Sequence, residues 1–144
     1  MTLPRPQRVT LPVRPGSLLK RFMAMPIAPA ADRDGSYLAF VRECPCLRCG
    51  MEPCEACHVR FASAAYGKAS GLGKKPELKW ILSLCSSCHR LARDAQHNRN
   101  EQEFWNSLGI NPLAVCVALY GQRGDLVAMR HVIFVAIAER GKRP

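Results

Sequence analysis

Helical spacing of apolar residues dominates the last third of the chain. Asn100 followed by Glu103 reads as a capping-box start, Phe104, Trp105 and Leu108 share one face, and Gly109 supplies the stop. Asn111 before Pro112 places a cap residue ahead of a helix-initiating proline. Leu113, Cys116, Val117 and Tyr120 then repeat at helical spacing, and Gly121 closes the segment. A third helix is predicted from Asp125 as cap to near Glu139, with Gly141 as its stop. Its Val132 to Val135 run has strand composition, but fourteen unbroken residues favour helix. Upstream, Trp80 to Leu84 reads as a short apolar strand. The first thirty residues hold six of the eleven prolines and no acidic residue, which predicts an extended basic arm instead of a helix or central strand.

At 144 residues and 48% apolar content the chain suits one domain with a tail. Charge adds a partner class: 21 Lys and Arg against 11 Asp and Glu give a formal +10, which favours an anionic partner such as nucleic acid. The excess is uneven, at +4 over residues 1–43, +5 over 44–100 and +1 over 101–144. Three segments follow: a basic, Pro-rich arm and lead-in (1–43), a cysteine-rich middle (44–100), and a helical extension packing on it (101–144).

Eight cysteines pose a choice between disulfides and metal. Residues 1–16 carry Pro4, Pro6, Pro12 and Pro15 among Arg5, Arg8 and Arg14, unlike a secretory leader. The longest apolar stretch, Leu126 to Ala138, is too short to span a bilayer and contains Arg130 and His131. The expectation is therefore a soluble, cytoplasmic protein with no membrane partner, in which clustered cysteines favour metal. Three CxxC units recur, Cys46/Cys49, Cys54/Cys57 and Cys85/Cys88. Two such turns make a tetrahedral thiolate cage for structural zinc. Cys46, Cys49, Cys85 and Cys88 are the preferred set, because Gly50 ends the first turn tightly and the apolar strand feeds the second. A rival set pairs Cys54/Cys57 with Cys85/Cys88, and two zinc ions would draw on Cys44, Cys54, Cys57 and a histidine. Cys116, on an apolar helical face, reads as a buried small hydrophobe.

Histidines adjoin two of the knuckles, at Cys57-His58 and Cys88-His89. The order of knuckle, histidine, Gly- and Lys-rich loop, apolar strand, knuckle and histidine resembles the HNH, or ββα-metal, endonucleases. The likeness is greatest to a phage-associated branch containing recombination-enhancement nucleases and related prophage proteins. It is carried by Cys46 to Gly50, Pro53 to Arg60, Tyr66 to Lys68, Gly71 to Pro76, Leu84 to His89, Gln96-His97, Asn100-Glu101, Phe104-Trp105 and Gly109 to Pro112. The resemblance thus covers residues 44–120, leaving out the arm and the last helix. It implies an α+β fold: a small zinc-stabilised ββα-metal core with C-terminal helices and an extended N-terminal arm.

Carried over by position, the resemblance makes His58 the general base that deprotonates the attacking water, a role suited to an imidazole titrating near neutrality. His89 falls where the family places a ligand of a catalytic divalent ion, Mg2+ or another such as Mn2+. His97, about two helical turns further on, is a further candidate for that ion or the scissile phosphate. Both His58 and His89 also have the chemistry of zinc ligands or core residues, and His97 lies in a polar stretch that suits an exposed surface. Lys68, Lys74, Lys75 and Lys79 surround the glycine-rich loop and suit phosphate contact or plain solvation. Arg60, two residues after His58, shares its face if the segment is a strand and is then aimed as a phosphate clamp. The chain departs from the family pattern in three places. Cys57 stands where Asp or His is common, Leu78 with neighbouring Glu77 where an acidic or Asn residue is common, and Ser83 where proline is common.

The leading expectation is a metal-dependent endonuclease hydrolysing DNA phosphodiester bonds. Its companions by resemblance would be a recombinase filament or phage replication and recombination proteins. A non-catalytic zinc-ribbon DNA-binding protein and a structural zinc protein of a phage assembly are the alternatives.

Overall fold

A computed structural model describes residues 17–24, 34–69 and 77–140. Most of the expected arm, the loop holding Lys74 and Lys75, and Gly141 lie outside the described residues. The architecture is α+β: five α-helices and one two-stranded antiparallel sheet among the described residues.

The three helices read from spacing form with their expected caps. In α3, Glu101–Leu108, the Asn100 side chain accepts the Glu103 N–H at 3.1 Å, and Gly109 ends the helix at φ 67°, a left-handed conformation costly for any residue with a Cβ. In α4, Pro112–Gly121, Asn111 accepts the Ala114 N–H at 3.2 Å. In α5, Leu126–Glu139, Asp125 accepts the Ala128 N–H at 3.1 Å, so the β-branched run is helical. Cys116 is buried in α4, as its apolar neighbours imply.

The extended-arm reading is corrected at residues 18–24, which form α1 (Leu18–Ala24); in the lead-in, residues 34–42 form α2 (Asp34–Arg42). No proline interrupts Leu18 to Ala24, Ser17 Oγ accepts the Lys20 N–H at 3.0 Å, and Leu19 is buried. Proline outside a segment does not forbid helix within it, and packing of α1 on α4 and α5 supplies the drive.

β1, Glu55–His58, pairs with β2, Ile81–Leu84, in the register Glu55 to Leu84 and His58 to Ile81. All four β2 residues are buried because α2 and α4 both pack on the strand. Trp80 belongs to a 3-10 turn, Leu78–Trp80, that leads into it. Buried Ser83 keeps its hydroxyl satisfied by donating to the Pro45 carbonyl at 2.7 Å, tying the strand to the first knuckle. Trp105, Tyr37, Phe104, Leu82, Leu113 and Ile133 are among the fully buried side chains that join these elements into one core. Among the described residues, no helix is long and apolar enough to cross a membrane.

Where a ββα unit would continue into an α-helix, the chain makes a π-helical turn, Ser87–Leu91, and then a separate 3-10 turn, Gln96–Asn98. The Ala92 N–H donates to the Ser87 carbonyl at 2.8 Å, closing the wider ring. The Asn98 side-chain amide then donates to the Arg90 and Ala92 carbonyls at 2.9 and 2.7 Å, capping the turn in place of further helix.

Candidate metal centre and histidine cluster

The first knuckle is a turn in which the Gly50 N–H donates to the Cys46 carbonyl at 2.8 Å, with Gly50 at φ 78°. The Leu47 N–H donates to the Ser83 carbonyl at 3.0 Å, holding this turn against β2 directly before the second knuckle. The sulfurs of Cys46, Cys49, Cys85 and Cys88 consequently lie within 4.8 Å of one another, with Cys49 and Cys85 at 3.6 Å. Zinc–thiolate bonds of about 2.3 Å put tetrahedral sulfurs about 3.8 Å apart, so the set fits a structural zinc ion with small adjustments. The neighbouring Cys54 thiol first, and then backbone N–H groups, lower the Cys46 pKa below its ordinary value, toward the thiolate form a metal requires.

The other cysteines are not members of this set, although Cys54 adjoins Cys46. Cys54 is buried and donates to the Met51 carbonyl at 3.3 Å, while Cys57 is buried and donates to Gln96 Oε1 at 2.7 Å. Cys44 donates to the Phe40 carbonyl at 3.4 Å and is pushed up to about 12 by burial. Burial likewise raises Cys57 and Cys116, keeping them neutral thiols. The preferred four-cysteine set is therefore the one brought together, and the rival with Cys54/Cys57 is not. Cys57, which stands where Asp or His is common in the resembled family, points into the core onto Gln96.

The histidines stand along β1, His58 at its end and His89 against Glu55 at its start. His58 closes β1, half-buried, and burial first, then the charges of Arg60, His89 and Lys68, lower its pKa below the ordinary 6.5. His89 Nδ1 lies 2.7 Å from Glu55 Oε2 on the same strand, and Arg90 donates to both Glu55 oxygens at 3.0 to 3.2 Å. Hydrogen bonds from Arg90 and then His89 hold the Glu55 carboxyl below the usual carboxylate range. A carboxylate partner makes Nδ1 the proton-bearing nitrogen and leaves the Nε2 lone pair of a neutral ring for a ligand. His97, read as lying further along one helix, reaches His89 differently. The 3-10 turn folds back and sets the two rings 4.4 Å apart, edge to face. Its Nε2 lies 3.4 Å from Arg60 Nη2, and burial with the neighbouring His89 and Arg60 charges lowers its pKa.

Arg60 is corrected in one respect: β1 ends at His58, so strand alternation does not place Arg60. Its backbone N–H instead donates to the Glu101 carboxylate at 3.1 and 3.2 Å, and its exposed guanidinium turns toward His97. Lys68 is buried, in a bridge with Ser63 closed by hydrogen bonds of 2.9 and 3.0 Å. Lys79 sits 5.0 Å above the Trp80 ring, a cation–π contact that covers the indole. Leu78 packs against the core and Glu77 is exposed, so neither supports His58 from the position where the resembled family commonly carries an acidic or Asn residue. Among the described residues, the cysteine set is the one group of three or more His, Cys, Asp or Glu ligand atoms gathered within 4.8 Å. The histidines come together as the His89/His97 pair with His58 nearby.

Sequence reasoning missed Glu55, Gln96 and Glu101 as parts of the site. Glu55, a charged residue three positions before His58 at the start of a strand, was the legible signal. Gln96 and Glu101 lie among the residues that carry the family resemblance, but nothing in their spacing assigns them a role without the fold. Comparison with family models, curated proteins and solved structures gave no match to the chain.

Proposed function

We propose that the protein is a metal-dependent, HNH-type endonuclease that hydrolyses DNA phosphodiester bonds. What supports the reading is the run of contacts that joins His89 to His97, with rings 4.4 Å apart, and His97 to Arg60 at 3.4 Å, beside the strand that ends at His58 and the four-cysteine set, in the chain order of the HNH resemblance. Zinc in the cysteine cage is structural: it pins the two knuckles and hence both strands. His58, kept neutral by burial and adjacent positive charge, takes a proton from the attacking water. The water oxygen bonds to phosphorus as the bond to the 3′ oxygen breaks, leaving 5′-phosphate and 3′-hydroxyl ends. A divalent ion such as Mg2+ or Mn2+, held through His89 with His97 beside it, would supply charge stabilisation at the phosphate and leaving oxygen. Glu55 orients His89 for that ligation, and the exposed Arg60 supplies positive charge for the phosphates.

A zinc-dependent DNA-binding protein without catalysis is the second reading, favoured by the absence of a third histidine or carboxylate converging on the His89/His97 pair among the described residues. Plasmid nicking across Mg2+, Mn2+, Ni2+ and Zn2+, with wild type and His58→Ala side by side, separates the two. The nuclease reading expects a loss of about 10²- to 10⁴-fold in His58→Ala with zinc content intact. Salt-dependent binding without cleavage by wild type supports the second reading, and equal nicking by His58→Ala refutes the assignment of the base.

A further inference from the structure

Gln96 sits at the first residue of a 3-10 turn far in sequence from β1, yet its buried side chain engages both sides of His58. Its Oε1 accepts the Cys57 thiol at 2.7 Å, and its Nε2 donates to the His58 carbonyl at 3.2 Å and to Glu101 Oε1 at 3.0 Å. Glu101, at the first turn of α3, accepts the Arg60 N–H on both oxygens and the Trp105 indole N–H at 3.4 Å. Residues 57, 58 and 60 are thus held by one two-residue clasp where the ladder to β2 runs out.

We propose that Gln96 and Glu101 are positioning residues for His58, doing from the α3 side what Glu77 and Leu78 do not do from the loop side. The proposal rests on the nuclease reading for its kinetic consequence and on the structure alone for its mechanical one. A half-buried carboxylate such as Glu101 is a poor way to gain stability, since its desolvation offsets much of what its hydrogen bonds return. It is a good way to fix a backbone, because a charged acceptor shared by two N–H donors leaves little play. With its own carbonyl, the Cys57 thiol and the Arg60 N–H tied, His58 keeps its ring at one angle to the Arg60 and His97 side of the site. A base displaced by about 1 Å loses most of its rate advantage without weakening substrate binding.

Full-length Gln96→Leu, Glu101→Gln and Glu101→Ala proteins test this, with zinc content and circular dichroism recorded for each. On supercoiled plasmid, Gln96→Leu should lower kcat by about 10- to 100-fold with KM within about twofold. Glu101→Gln, which keeps an acceptor for Arg60 and Trp105, should retain kcat within about threefold of wild type. Independently of cleavage, hydrogen exchange at the Arg60 amide should accelerate by about tenfold or more in Glu101→Ala. Unchanged kcat in Gln96→Leu, or an equal loss in Glu101→Gln and Glu101→Ala, overturns the positioning role. Should wild type not nick DNA at all, the nuclease reading falls, and unaltered exchange at Arg60 then overturns the clasp separately. If Gln96→Leu loses zinc or helix content, the Glu101 pair decides the matter.

Discussion

Loss of the ion expected in the cysteine cage should unfold the middle of the protein, not merely loosen it. The cage joins a turn at residues 46–49 to one at 85–88, and both strands and all the histidines of the site hang between or beside these turns. A structural zinc ion contributes about 10–16 kcal/mol to folding in zinc-finger peptides. A domain of this size has a total stability of about 5–15 kcal/mol. The ion's share is therefore comparable to the whole, and chelation should lower Tm by more than about 20 °C. Cys46→Ser should lose its zinc, because Cys46 is buried at the centre of the set and held as thiolate. Cys54→Ser should keep it, since Cys54 only donates a hydrogen bond from outside. Elemental analysis of metal per chain, with thermal melts in the presence and absence of a strong chelator, reads both effects. Cobalt substitution adds an independent check through the absorption of a tetrahedral thiolate site. Full zinc retention in Cys46→Ser, or a melt indifferent to chelation, would refute the reasoning. Helices α1, α4 and α5 pack on one another, so residual helical signal after chelation is expected.

Two further outcomes follow from the histidine cluster. Glu55→Gln removes the charged partner that sets the proton on His89 Nδ1, and binding of Mn2+ measured by calorimetry should weaken by about 10- to 100-fold while the zinc content stays the same; unchanged affinity would mean that Glu55 serves only Arg90. The pH profile of kcat/KM should show its acid limb below 6.5, because burial and the charges of Arg60, His89 and Lys68 depress His58. The neutral ring is the active form, so activity falls as pH drops through the lowered pKa, and Lys68→Met should move that limb upward; a limb at or above 6.5 in wild type would contradict the assignment.

Much of the site was legible because its signals are short in range. A CxxC turn with Gly50 behind it states its own geometry within five residues, and the two knuckles that meet are the two with a glycine-ended turn and an apolar strand as neighbours. The helix caps at Asn100, Asn111 and Asp125 are equally local, which is why α3, α4 and α5 begin where spacing and cap residue place them. Proline density misled at Leu18 to Ala24, because composition averages over segments whereas a helix requires only an uninterrupted turn and a surface to pack on.

The sequence by itself therefore determined the ligand chemistry of the cage, the helical C-terminal third and the identity of the ionisable residues beside the knuckles. Tertiary structure alone decided how those residues meet. It turned Cys57 inward onto Gln96, ended β1 before Arg60, and folded His97 back onto His89 through two short turns instead of one helix. It also drew Glu55 and Glu101 into the site from 34 and 41 residues away along the chain from His89 and Arg60 respectively. The physical reason is one of range. Caps and knuckles are closed by hydrogen bonds across three or four residues, whereas the partner of a charged side chain is set by how whole elements pack.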